Sequence, residues 1–392
     1  MIRTLLLLIL AAGPLAAQPP DWAAQARPVL AELYSLNHDR AEQLSLDLIQ
    51  QHPGEPLGYA LLARTLWARI LNNEQALNAE RFFSVPAPWR SSPLARKVPP
   101  DLRTRFLDSS RKAIDLARAR LHSSPDHRPS LLILGFTYVN LAGFEWAVEG
   151  RLWQAFRSGE HAVDAHRRLL SLEPSWGDPR LANGVALYLA NTLPWRVRWL
   201  AILFGFAGGR ERGKREIEIA ARTGFLLDDD ARTMLVLLYQ RDAQFDLARP
   251  ILAGLHARYP RNFIVEMEQA SLEMRAARPA DALAIYRRIL AKAAAARDGY
   301  ERILRPGLYY NTGLAARASG SLEEAAAFFR ASLSHPTATA GLSQLELGKT
   351  LDLLGRRDEA KAAYAQAAAS PDVSGSRDQA QRYLRAPFNR AR

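Results

Sequence analysis

The chain has 392 residues, no cysteine, and 52 Lys and Arg against 40 Asp and Glu, for a formal net charge of +12 and a pI near 10.1. Without cysteine there is neither a disulfide framework nor a thiolate metal site, and a chain of this length can bury a core without either. The lysines are only Lys97, Lys112, Lys214, Lys292, Lys349 and Lys361; the remaining cations are arginines interleaved with acids. That scatter argues against a nucleic-acid ligand and leaves anionic headgroups or acidic polymers as what the excess charge would attract.

Residues 1–17 read as an export signal. Arg3 is the basic start, 5–12 are apolar, Gly13 and Pro14 break the run, and Ala17 is a small residue at the expected cleavage point. The run is well short of the ~20 residues a spanning helix needs. The expectation is an exported protein beginning near Gln18, periplasmic or secreted, with a membrane-peripheral position left open.

From 18 to 225 the sequence predicts divergent helix pairs with insertions. Ala41, Leu48 and Pro53 close a first pair. Tyr59, Leu62, Ala63 and Leu66 begin a second, whose second helix carries Ala113, Ala117 and Leu121; a proline-rich loop over 86–100 lies between them. Leu131, Leu134, Gly135 and Tyr138 begin a third, which ends with Ala162, His166, Leu169 and Pro174 after an extra segment around 143–159. A fourth starts at Asp178 with Gly184 and Tyr188, and its second helix is expected near 210–223.

From 226 to 375 the pattern is regular. Gly313, Gly320, Ala325, Phe329 and Pro336 recur as Gly348, Gly355, Ala360, Tyr364 and Pro371, each 35 residues later. Ala248 and Leu252 recur as Ala282 and Tyr286, 34 residues later. A period of this size, with small residues at fixed helical offsets, marks stacked helix-turn-helix units. The small residues let two helices approach, a large one four positions later fills the space between neighbours, and proline ends the second helix. The predicted units are 228–260, 262–292, 306–336 and 341–371. An elongated helix is expected over 293–305, and 376–392 is a tail. Nothing alternates in the manner of a strand. The predicted fold is all-α: a tetratricopeptide-repeat-like (TPR-like) α-solenoid of about eight helix pairs, with insertions in its N-terminal half.

The 191–209 segment departs from this pattern. The apolar run 199–206 follows Arg196 and Arg198, and Trp195 and Trp199 share one helix face. Two readings stand: Trp195, Arg196, Arg198, Trp199, Phe204 and Phe206 dock on a membrane surface or a partner, or the segment folds back and fills the interior.

The run from Leu181-Ala182-Asn183-Gly184 through Leu193-Pro194 and Gly205-Phe206-Ala207-Gly208-Gly209-Arg210-Glu211 to Gly213 resembles the core of the eukaryotic tetratricopeptide-repeat-39 and inclusion-body-clearance family. The resemblance covers roughly 128–260. It implies a helical repeat protein with no assigned catalytic chemistry, peripheral to membranes or lipid bodies in some members. The export signal departs from that family's cytosolic pattern, and exported bacterial TPR proteins of similar layout are the nearer comparison.

Searches for reaction chemistry turn up isolated residues. His161 and His166 are five apart, roughly 140° around a helix, so they do not share a face for one metal. Glu145 and Glu149, with Trp146 and Trp153, have the composition of a glycosidase or carbohydrate site and equally of a charged helix face. Asp228, Asp229 and Asp230 suit a helix start. Gly205–Gly209 lacks the Lys-Ser/Thr ending of a phosphate loop. The expectation is therefore a non-catalytic scaffold with no cofactor and no metal, holding a protein partner in the groove lined by first helices. The offsets that face such a groove are Thr233, Leu237, Met267, Met274, Tyr310, Leu314, Arg317, Leu345 and Lys349, of which Arg317 and Lys349 can receive a carboxylate. The alternatives are a membrane-peripheral scaffold docking through 195–206, and a helical-repeat enzyme or carbohydrate-binding protein.

Overall fold

Helix starts and stops in this chain follow local rules that repeat down its length. A computed structural model of the protein describes residues 21–73, 98–190, 209–334 and 340–389. The expected signal at 1–17, most of the 86–100 loop, and Trp195, Arg196, Arg198, Trp199, Phe204 and Phe206 lie outside the described residues. Among those described there are seventeen α-helices, one 3-10 turn and no strand. The protein is all-α, with the TPR-like arrangement of successive helix pairs.

The residues group into two units, Met1–Leu238 and Tyr239–Arg392, whereas the repeat pattern alone suggests a boundary at 225/226. In the first unit the pairs are α1 (Asp21–Tyr34) with α2 (His38–Gln51), α3 (Pro56–Asn73) with α4 (Pro100–Ser123), α5 (Arg128–Ala147) with α6 (Leu152–Leu172), and α7 (Asp178–Ala190) with α8 (Arg210–Thr223). Helix α9 (Asp228–Arg241) spans the division, and α10 (Phe245–Arg258) follows it. The second unit continues with α11 (Phe263–Arg275) and α12 (Pro279–Ala294), α13 (Arg305–Ala318) and α14 (Leu322–Ser332), α15 (Ala340–Leu353) and α16 (Arg357–Ala369), and a closing helix α17 (Ser376–Arg385).

Prolines stand in the first turn of α4, α5, α12 and α13, where the ring presets φ and no amide is missed. Five helices end by one device. Leu36, Ala243, Ala277, Gly320 and Gly355 adopt left-handed φ values of 60°, 55°, 58°, 89° and 74°. In each turn the next residue's amide reaches the carbonyl five residues back, as from Gln244 to Tyr239, Arg278 to Glu273, Ser321 to Ala316 and Arg356 to Leu351. This is the paired C-terminal bond pattern that satisfies the last helical carbonyls, and it sends the chain straight into the second helix.

Inside several pairs, a small residue faces a large one. A Cβ built on Gly313 would stand 2.8 Å from the Phe329 ring, and one on Gly135 would stand 2.2 Å from the His166 ring. Ala113, Ala162, Ala248, Ala282, Ala325 and Ala360 are fully buried where the second helices touch the first. The extra segment at 143–159 is absorbed by lengthening α5 to 20 residues and α6 to 21. Helix α5 is long and apolar enough to cross a membrane, but half of it is buried against its neighbours.

The elongated helix expected over 293–305 does not form. Helix α12 stops at Ala294, left-handed backbone at Ala296, Asp298 and Gly299 turns the chain, and a 3-10 turn follows at Tyr300–Arg302. The turn buries Tyr300, whose hydroxyl donates to the buried carboxylate of Glu266 at 2.5 Å. Arg288 and Lys292 reach the same carboxylate at 2.5 and 2.9 Å.

Candidate functional site

The first-helix face behaves differently in the two units. In the first unit it is covered by the unit's own chain. Leu226 and Leu227, in the turn before α9, pack on Leu30 of α1, Leu57 and Leu61 of α3, and Leu132 and Ile133 of α5, leaving a cavity of only about 10 Å³. Asp178, fully buried at the start of α7, holds that turn: its Oδ1 accepts the amides of Phe225, Leu226 and Leu227 at 3.1, 2.8 and 2.7 Å. Burial pushes the Asp178 carboxyl up to about 6 even though these amides favour its charged form. Trp22, Trp176 and Phe225 meet edge-on beside it. Arg64 of α3 pairs with Asp230 of α9 and reaches Asn140 of α5 at 3.4 Å.

Of the residues expected in the groove, Thr233 and Leu237 belong to this unit. Thr233 is exposed and donates to the Asp229 carbonyl at 2.8 Å, while Leu237 is half-buried. The other carboxylates of interest are already engaged. Glu149 takes Arg103 at both oxygens, at 2.6 and 2.9 Å, which holds its carboxyl below the usual range. Glu145 accepts the Ser158 hydroxyl at 2.7 Å, and burial raises it. His166 is buried against Gly135, and burial lowers it to about 4, so it stays neutral. Asp228 and Asp229 meet Arg232 within the first turn of α9. No group of three potential metal ligands occurs among the described residues.

In the second unit the first helices α11, α13 and α15 carry the remaining candidates. Met267, Met274, Tyr310 and Leu314 are half-buried and rest on the core. Leu345 is 1% exposed and belongs to the core itself. It cannot line a groove, contrary to the expectation, because the spacing that places a residue on a first helix does not say which side of that helix the neighbouring pair covers.

Arg317 and Lys349 do receive a carboxylate, and it comes from within the chain. Glu346 pairs with Arg317, and Lys349 donates to its other oxygen at 2.8 Å. Lys349 also donates to Gln379 of α17 at 3.2 Å. Burial, with the nearby Glu346 charge adding to it, pushes the Tyr310 hydroxyl up to about 12. Above this cluster lies the segment that follows α17. The ring of Phe388 sits 6.0 Å from the Arg317 guanidinium and 5.8 Å from the Lys349 ammonium, and Tyr383 meets it edge-on at 5.4 Å. The Phe388 amide donates to Asp352 at 2.7 Å. Asp352 is almost wholly buried and also accepts from Arg357, twice at 3.0 Å, and from the Tyr364 hydroxyl at 2.9 Å. Arg357 in turn donates to the carbonyls of Tyr383 and Leu384.

The sequence reading missed Glu346, Asp352, Tyr383 and Phe388. Glu346 lies three residues before Lys349 on one helix face, a visible signal. Phe388 is the one aromatic in the tail after Tyr383, and nothing in the repeat period points to it.

No protein-family description and no curated protein matches the sequence. Solved structures do overlap it. Yeast Tom70 is 11% identical over 92% of this chain and 88% of its own, with a TM-score of 0.40. A tetratricopeptide repeat protein from Parabacteroides merdae is 15% identical over 84% and 98%, at 0.31. The human IFIT1 dimer with m7Gppp-AAAA is 14% identical over 94% and 84%, at 0.43. At these scores none of them bears on what this chain binds.

Proposed function

We propose that the protein is an exported, non-catalytic scaffold that holds an extended segment of a protein partner on the first-helix face of its second unit. The observation that supports this is the row Met267, Met274, Tyr310 and Leu314, half-buried and apolar, beside the paired cations Arg317 and Lys349. Adaptable methionines next to an aromatic and fixed charges suit a peptide surface. In the first unit the corresponding face is filled by Leu226 and Leu227. Export rests on residues 1–17, a membrane-peripheral role rests on the composition of 195–206, and the scattered charge is the reason to set nucleic acid aside.

A photo-crosslinking residue at position 310, compared with one at exposed Lys361 on α16, tests this in the native envelope. A discrete partner band from position 310 alone is expected. Equal bands from both positions, or none from either, would remove the reading.

A further inference from the structure

After α17 the backbone does not trail away from the fold; it turns back over the charged cluster of α13 and α15. Phe388 is half-buried while Ala386, Pro387 and Asn389 are exposed. Its ring covers two cations from two successive first helices, and its amide is tied to a buried carboxylate.

We infer that the Arg317–Glu346–Lys349 cluster is a binding site for an extended peptide carrying an aromatic side chain, and that the chain's own residues 386–389 occupy it until such a peptide displaces them. The chemistry is specific. A ring face over a guanidinium and an ammonium gains cation–π attraction, which strengthens as water is excluded. Glu346 neutralises one of the two charges, so the cluster retains about one net positive charge and attracts the ring without demanding a carboxylate. Asp352 supplies one acceptor for the incoming backbone amide and keeps its other donors, Arg357 and Tyr364, when the tail leaves. The fold therefore does not depend on the tail for Asp352's satisfaction. Ala386 and Pro387 on its approach stay exposed, so the seated part of the tail is short, and this makes it displaceable. Its tether is a few residues beyond α17, so its effective concentration is on the order of millimolar. A free peptide must therefore compete against that concentration.

This rests on the partner-face reading above but can fail separately. The probe is a fluorescein-labelled synthetic peptide with the sequence of residues 384–392. The proteins are the full chain, its Phe388→Ala variant, and Phe388→Ala combined with Lys349→Met, each checked for unchanged helical circular dichroism. The Phe388→Ala protein should bind the peptide at least tenfold more tightly than the parent. Adding Lys349→Met should lower that affinity again, and a peptide with alanine in place of phenylalanine should not bind. As an independent readout, 4-fluorophenylalanine at position 388 of the otherwise unaltered chain should give a shifted fluorine resonance that moves to the solvent-exposed position as unlabelled peptide is added. Equal affinity for parent and Phe388→Ala, or a fluorine signal already at the exposed position without peptide, overturns the inference. If the peptide binds as expected but position 310 captures no partner, the site stands and the partner reading falls.

Discussion

A Cβ placed on Gly348 would lie 2.5 Å from the ring of Tyr364, closer than any real side chain tolerates. The small residue of the first helix thus faces the large residue of the second, Tyr364, four positions after Ala360. Gly348→Leu then drives a branched side chain into an aromatic ring that is itself fully buried. Overpacking of this kind costs about 1–3 kcal/mol. Each pair touches mainly its neighbours, so the damage should stay at the C-terminal end. Limited proteolysis is expected to yield a stable fragment ending after about residue 300. A variant as resistant as the parent would show that the contact does not matter.

Much of the helix-pair register was legible because its devices are local. Gly320 and Gly355 mark left-handed turns, Ala325 and Ala360 mark close contacts, and both recur at 35 residues. Helices α8 and α9 to α16 fall where the spacing puts them. The 300–302 turn was not legible, because an alanine run favours helix, whereas the chain leaves α12 at left-handed Ala296, with the Arg297 amide on the Lys292 carbonyl, and Tyr300 then reaches the distant Glu266. The same limit applies to the site. Arg317 and Lys349 stand at readable offsets, but that their charge is answered by Glu346 and roofed by Phe388 depends on chain reversal after α17, which no period encodes.

The repeated turn gives a stabilising prediction. Ala243 and Ala277 hold the left-handed position that Gly320 and Gly355 hold in the two pairs that follow them. A side chain there costs roughly 1–2 kcal/mol, of which glycine returns part in unfolded-state entropy. Ala277→Gly is expected to stabilise the second unit by about 0.5–1 kcal/mol in urea denaturation followed by tyrosine-region circular dichroism. A loss of stability would mean that the alanine methyl makes a contact of its own.

Tyr300→Phe should have the opposite effect. It leaves Glu266 with Arg288 and Lys292 but removes the hydroxyl bond, and a bond to a charged acceptor contributes about 1.5–3 kcal/mol. The 293–303 segment should exchange its amide protons faster, with 340–369 unchanged. Uniform exchange across the second unit would place the effect elsewhere.

Export makes a simple prediction. Protein recovered from an envelope fraction should begin at Gln18 or within a residue or two, read by N-terminal sequencing. A chain that keeps Met1 and fractionates with cytoplasm would remove the compartment argument and reopen nucleic acid as a ligand.

Two buried groups of the first unit, His166 and Asp178, should work against each other in acid. His166 is lowered from 6.5 to about 4 by burial. Between those values the unfolded chain takes a proton that the folded chain refuses, so stability falls as pH drops, by about 3 kcal/mol. Asp178 is raised from 3.8 to about 6. Here the folded chain takes the proton first, so its contribution is present below 3.8 and lost as pH rises through 6, again about 3 kcal/mol. The parent should therefore show little net change from these two groups between pH 6 and 4. His166→Gln should become more stable on acidification through that window, and Asp178→Asn less stable. All eight tryptophans lie before residue 200, so urea denaturation followed by tryptophan fluorescence reports the first unit alone. Stability curves against pH that run parallel in parent and both variants would mean that neither group is held away from its ordinary titration. The Asp178 grip on the 225–227 turn would then have to be as favourable to the charged carboxylate as water is.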